Sequence, residues 1–273
     1  MVTQPNISTT PSPAPPPEVP LSTQVLQQFF ATMLKVRLLA AHHRQEVTIA
    51  EAIITGTLPN LDENDIVICA EPAQTLEALL PRIETNSREK SRLIPAESNV
   101  VAAIATGLAC GLRLAGSSAV AVALLPGKAT TGRFAEQLLH FAREFRDVPL
   151  VLIADWTASR QSYRDHHGHA LSHWPAPTIA VDGRDVIAVY RVTKEAITAA
   201  RRGHGPTLVD CVNFLAPGSR GRDNRDPLAS FGGYLQRHNA WSDAWHEELQ
   251  TRLKTELALS RKAAKAKNQR KAL

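Results

Sequence analysis

AVAVALLPGKATTGRFAEQLLHFAREFRDVPLVLIADW, residues 119–156, decides the fold. Ala119 to Leu125 and Val148 to Ala154 are unbroken apolar runs. A strand wetted on one face alternates polar and apolar residues, whereas a parallel strand covered by helices on both faces does not. Between the runs Phe134, Leu138, Phe141 and Phe145 recur at spacings of three and four, one apolar stripe with charges opposite. The stretch therefore reads as a βαβ unit. Ligands of open α/β sheets bind beyond the carboxyl ends of the strands. Here those ends carry Pro126-Gly127-Lys128-Ala129-Thr130 and Asp155-Trp156-Thr157. A purely structural βαβ unit is the competing interpretation.

Working outward, the pattern predicts strands at Asp65–Ala70, Thr178–Val181 and Thr207–Phe214. It predicts helices from Leu26 to Leu39, with Ser22 or Thr23 as N-cap, from about Gln45 to Thr55, closed by Gly56, at Leu76–Ile83, at Ser98–Leu114 and within Asp185–Arg202. Pro227 to Ala266 reads as helical, and Glu84–Arg92 and Ala216–Asp226 read as loops. Strands alternating with helices give an α/β fold, a doubly wound, mainly parallel sheet with a C-terminal helical extension. The helix at 98–114 is rich in small residues, Ala102, Ala103, Ala105, Gly107, Ala109 and Gly111, which admit a neighbouring backbone closely.

The 273 residues, 44% of them hydrophobic, suffice for one domain spanning 22–266. Residues 1–21 hold Pro11, Pro13, Pro15, Pro16, Pro17 and Pro20 and read as a disordered lead. Residues 267–273 read as a basic tail. No apolar run approaches the roughly 18 residues that span a bilayer, so neither membrane nor secretion is expected. Cys69, Cys110 and Cys211 lie apart within apolar segments, as reduced thiols of a cytoplasmic protein would. The net charge of +5 gathers largely at the C-terminus without a recognition motif, which argues against nucleic acid.

The segments FFATMLKVRLLAAH, RQEVTIAEAIITGTLPNLDENDIVI, NVVAAIATGLACGLRLAG, VDGRDVIAVYRVTKEAITAARRGHGPTLVDCV and DPLASFGGYLQRHNAWSDAWHEELQTRLKTEL resemble the α subunit of the thiamine-diphosphate-dependent E1 component of 2-oxo acid dehydrogenases. The resemblance runs from Leu26 to Ala264. It implies a thiamine-diphosphate-binding fold, thiamine diphosphate and Mg²⁺ as cofactors, and a β-like subunit or a further copy of the chain as partner. The family's Gly-Asp-Gly-Ala-Thr loop, whose Asp binds Mg²⁺, falls on Pro126-Gly127-Lys128-Ala129-Thr130, without its carboxylate. Asp155 falls on the family's second metal ligand, an Asn. The Tyr-Arg-x-His phosphate grip falls on Glu71-Pro72-Ala73-Gln74 and the Gly-His-Ser loop on Gly218-Ser219-Arg220, while SRLIPAES replaces a glycine-rich segment.

By resemblance the cofactor-binding candidates are Gly127, Lys128, Thr130 and Asp155, with Asp155 the metal candidate. Lys128, aided by Arg220 or Arg222, is able to meet phosphate as a point charge. No catalytic residue is assigned. Two functions follow: an E1 α-like protein with a decayed cofactor site and a structural or regulatory role, or an active subunit decarboxylating a 2-oxo acid. Asp165, His166, His167, His169 and His173 match no zinc spacing and read as a polar loop. Lys128-Ala129-Thr130 is no P-loop, since Val122 stands where its first glycine belongs, and Ser117, Ser118 and Ser219 lack a nucleophile elbow.

Overall fold

The computed structural model describes residues 21–43, 49–70, 92–130, 147–157, 177–213 and 226–271, with the single positions 140 and 144. The expected lead up to residue 20, the helix at 76–83, the helix at 134–145 apart from positions 140 and 144, most of the loop at 84–92, residues 71–74, the histidine-rich stretch 165–173 and the segment 218–222 lie outside the described residues.

Among the described residues six strands form one sheet: β1 (Ile66–Ala70), β2 (Arg92–Ala96), β3 (Ala121–Pro126), β4 (Leu150–Asp155), β5 (Thr178–Asp182) and β6 (Thr207–Val212). Their order is β2-β1-β3-β4-β6-β5 and every pairing is parallel. Every residue of β1, β4 and β6 is buried, which is why these runs show no alternation. Successive side chains instead supply two cores. Val67, Val122, Leu124, Val151, Ile153 and Val209 face α2 (Glu51–Thr57) and α4 (Val186–Arg201). Ile68, Ala121, Ala123, Leu125, Leu150 and Leu152 face α3 (Val101–Leu114). A third core joins α1 (Thr23–His43), α5 (Pro227–Arg237) and α6 (Asp243–Lys271) around Phe30, Met33 and Leu235.

Caps and buried charges fix the elements. The Asp185 carboxylate accepts the Ile187 and Ala188 amides at 2.9 and 3.1 Å, satisfying the open first turn of α4. Asp226 caps α5 by accepting the Leu228 amide at 3.1 Å and also takes the Arg37 guanidinium at 2.9 Å, tying α5 to α1. Arg37 reaches Glu51 at the start of α2 as well. At the amino ends of the strands Asp65 is fully buried. It accepts two hydrogen bonds from Arg201, at 3.0 and 2.8 Å, and one each from the Val120 and Asp62 amides at 2.8 Å.

The second described helix runs Glu51–Thr57, with residues 49 and 50 not helical and 44–48 outside the described residues, and Gly56 lies inside it instead of closing it. The reason is tertiary. A Cβ on Gly56 would stand 2.8 Å from Val189 Cγ1 and 2.9 Å from the backbone Tyr190 N and Val186 O of α4. The expected helix over 227–266 is two helices, broken where Asn239 takes φ 55° and the Ala240 amide bonds back to Leu235 O at 2.9 Å. The second continues to Lys271. Periodicity gives no strand at 92–96, yet β2 forms there on the sheet edge, where Pro95 is tolerated.

Because α2 meets α4 backbone to backbone, Gly56→Ala is expected to destabilise the chain by about 1–3 kcal/mol despite the better helix propensity of alanine. Chemical denaturation measures it, and an unchanged midpoint would contradict the close approach.

Candidate functional site

β2 flanks β1 on one side and β3 on the other, so the sheet's order reverses between β1 and β3. Crevices at such reversals, beyond the carboxyl ends, are where α/β sheets take ligands. The turn Gly127–Thr130 follows β3 there, and Pro126 pairs in register with Asp155 at the end of β4. The structure thus brings Gly127, Lys128, Thr130 and Asp155 to one edge of the sheet.

Their chemistry is not that of a cation clamp. Asp155 Oδ2 accepts the Ala50 amide at 2.7 Å. Its Oδ1 accepts the Thr157 amide at 2.7 Å and the Thr157 hydroxyl at 2.6 Å. Burial pushes the Asp155 carboxyl up from its ordinary range, the Thr157 and Ala50 donors hold it down, and the nearby Glu51 charge pushes it further up. Thr130 is buried and its hydroxyl donates inward to Gly127 O at 2.7 Å. Lys128 is exposed.

Gly127 lies directly beneath the Trp156 indole. A Cβ there would come within 2.1 Å of Trp156 Cδ2, so only glycine fits. The indole N–H is bonded to the Asp210 carboxylate, a residue 2% exposed inside β6. Burial raises Asp210 to about 6, opposed by the Trp156 hydrogen bond. On the opposite face of β6 the fully buried Cys211 thiol is pushed well up by desolvation and by the charges of Asp155, Asp210 and Asp182. Asn213 donates to Thr157 O at 2.6 Å. Trp156 and Asp210 were not among the sequence candidates, although a tryptophan ending a buried strand and an aspartate inside the apolar run TLVDCV were visible signals.

A hard divalent ion takes about six oxygen donors. Here Gly127 offers no side chain, the Asp155 oxygens are engaged by protein donors, and the Thr130 hydroxyl is turned away. Among the described residues no group of three or more His, Cys, Asp or Glu side chains is placed to hold a metal ion. The described residues at this edge do not fit a Mg²⁺–diphosphate clamp.

The fold is thus a doubly wound α/β sheet with its loop cluster at a topological reversal, the architecture of thiamine-diphosphate-binding proteins. Residues 81–272 match the family described as Dehydrogenase E1 component, and the chain belongs to that family. It is 30% identical over 171 residues to the 3-methyl-2-oxobutanoate dehydrogenase subunit alpha of Mycobacterium tuberculosis, covering 55% of this chain and 47% of that protein. It is 25% identical over 196 residues to the pyruvate dehydrogenase E1 component subunit alpha of Acholeplasma laidlawii, covering 62% and 56%. Against the corresponding Staphylococcus epidermidis subunit it is 27% identical over 181 residues, covering 58% and 49%. The chain spans about half the length of these relatives. No helix among the described residues is long and apolar enough to cross a membrane.

The Asp210 environment predicts a pH signature. Its folded pKa, about 6, exceeds the unfolded value of about 3.9. The native state therefore binds the proton more tightly, and stability falls as pH rises from about 4 to about 6, then levels. Asp210→Asn keeps an acceptor for the indole and cannot ionise. It is expected to match the parent near pH 4 and exceed it by roughly 3 kcal/mol at pH 7, since the folded and unfolded values lie about two units apart and a pKa unit is about 1.4 kcal/mol. Parallel pH-dependent unfolding curves for the two proteins would refute it.

Proposed function

We propose that this chain is an E1 α-like subunit that keeps the family scaffold without its Mg²⁺–thiamine diphosphate clamp, serving as a structural or regulatory partner of a β-like subunit in the cytoplasm. The observation that carries it is the Trp156 indole laid on Gly127, at the position of the family's metal-binding aspartate, beside an Asp155 whose oxygens are already engaged. Asp155, Asp182 and Asp210 also give the carboxyl ends of β4, β5 and β6 a negative character that opposes a diphosphate in the absence of a cation.

A second reading, an active subunit decarboxylating a 2-oxo acid with thiamine diphosphate, draws on Lys128, exposed on the same turn and able to meet phosphate directly. Conversion of bound cofactor to fluorescent thiochrome, in the native complex purified through this chain, separates the two. Far below one thiamine diphosphate per chain is expected, with no Mg²⁺ affinity that Asp155→Ala changes. A stoichiometric content lost in Lys128→Ala would establish the second reading instead.

Pairing is supported by α3. Its inner face, with Val101, Ala105 and Ala109, is buried on the sheet, whereas Gly107 and Gly111 are exposed, with nothing within 4 Å of where their Cβ atoms would lie. Small residues left open on an outer face suit close approach by another chain. Gly107→Leu is expected to raise the stability of the free chain by up to about 1 kcal/mol, through helix propensity. The same change is expected to break the complex in sedimentation analysis. A variant that assembles normally would exclude this face from the interface.

A further inference from the structure

At the outer edge of the sheet, where β5 ends, a cavity of about 320 Å³ opens between the start of α4 and the length of α5. Its volume is that of a small-molecule site. Three guanidiniums line it from three places: Arg184 in the turn leaving β5, Arg191 in the second turn of α4, and Arg237 in the last turn of α5. Arg237 makes no ion pair with any described residue.

Both carboxylates at the cavity accept backbone amides, and Asp182, Arg184 and Arg191 each make a further interaction, so Arg237 is the guanidinium most open to a ligand. Asp185 Oδ1 accepts the Ile187 and Ala188 amides, and Asp182 Oδ1 accepts the Arg184 amide at 3.0 Å. The amides that open α4 are therefore spent on its own cap, and recognition at this cavity falls to the guanidiniums. One wall is aromatic. Phe231 is buried, and its ring lies 5.9 Å from that of Tyr234 with planes 16° apart. His238 covers part of Tyr234 at 4.1 Å. The Ser230 hydroxyl stands at the rim.

Arginine forks take oxyanions with paired, directional N–H bonds, and an aromatic wall takes a flat apolar body. We propose that this cavity binds a small organic anion, a phosphate or carboxylate group carried on a planar apolar body, with Arg191 and Arg237 holding the anion and the Phe231–Tyr234 wall holding the body. The assignment is independent of whether the loop at Gly127 retains a cofactor.

Calorimetric titration of the full chain with phenyl phosphate, benzoate and inorganic phosphate tests it. Saturable binding of phenyl phosphate or benzoate is expected, and whichever binds more tightly identifies the source of the anion. Losing a charge-assisted hydrogen bond corresponds to roughly tenfold or more in affinity. Arg237→Gln and Arg191→Gln are each expected to weaken binding that much, Arg237→Lys to recover only part, and Arg252→Gln, on the exposed face of α6, to leave it unchanged. Saturation transfer from the unsubstituted protein to the phenyl protons gives a reading that depends on no variant's folding. The proposal is overturned if neither organic anion binds saturably, if inorganic phosphate binds as tightly as phenyl phosphate, if Arg252→Gln weakens binding equally, or if no transfer reaches the phenyl protons.

Discussion

Two buried carboxylates, one at each end of the sheet, set what the rest of the molecule is able to do. An ionised carboxylate out of water survives only when it is paired or fully hydrogen-bonded. Asp65, at the amino ends, is paired: the Arg201 guanidinium grips it while the Val120 and Asp62 amides complete its shell. Asp155, at the carboxyl ends, has only neutral donors, the Ala50 amide and the two groups of Thr157. The first arrangement locks α4 across the beginnings of β1 and β3. The second locks the end of β4 to the residue preceding α2. Glu51, the next residue, is drawn off to Arg37 and through it to Asp226, so α1, α2 and α5 are bound into the same framework.

That framework explains why this edge of the sheet holds together without an ion. Asp155 supports the fold from where it stands, and its hydrogen bonds do not require an ion. The loop above it is fixed by packing: the indole rests on Gly127 and its N–H is anchored to Asp210. An aspartate at 127 would drive its Cβ into the ring, so the glycine and the tryptophan depend on each other. An aspartate at 127 and the tryptophan as it lies here are mutually exclusive arrangements of the same backbone.

Much of this was legible in the sequence. The apolar runs at 66–70, 121–125, 150–154 and 207–212 are strands because a two-faced buried strand has no other composition, and the Asp185 cap announces α4 two residues ahead of its first bonded amide. What was not legible depends on partners far along the chain. Gly56 reads as a helix stop in isolation, but its reason is the backbone of α4, some 130 residues on. Asp155 reads as a free carboxylate because its bond to Ala50 crosses 105 positions. The strand at 92–96 hides because an edge strand with a proline carries no buried pattern, and the break at 238–242 hides because Asn239 takes a left-handed turn usually given to glycine.

The small-residue helix shows the same division most sharply. Alanine and glycine at 102, 103, 105, 107, 109 and 111 predict close approach on some face, and sequence spacing does not say which. The sheet consumes one set: Ala105 and Ala109 are fully buried against strands whose facing residues, Ala121 and Ala123, are themselves small. Two small surfaces meeting bring helix and sheet close without bulky side chains to separate them. The glycines at 107 and 111 play no part in that contact. A glycine inside a helix costs about 1 kcal/mol relative to alanine, and two of them on one exposed face of α3 are a cost that packing within the described fold does not offset. Among the described residues nothing packs on that outer face, so the room the two glycines leave for close approach lies there and not against the sheet.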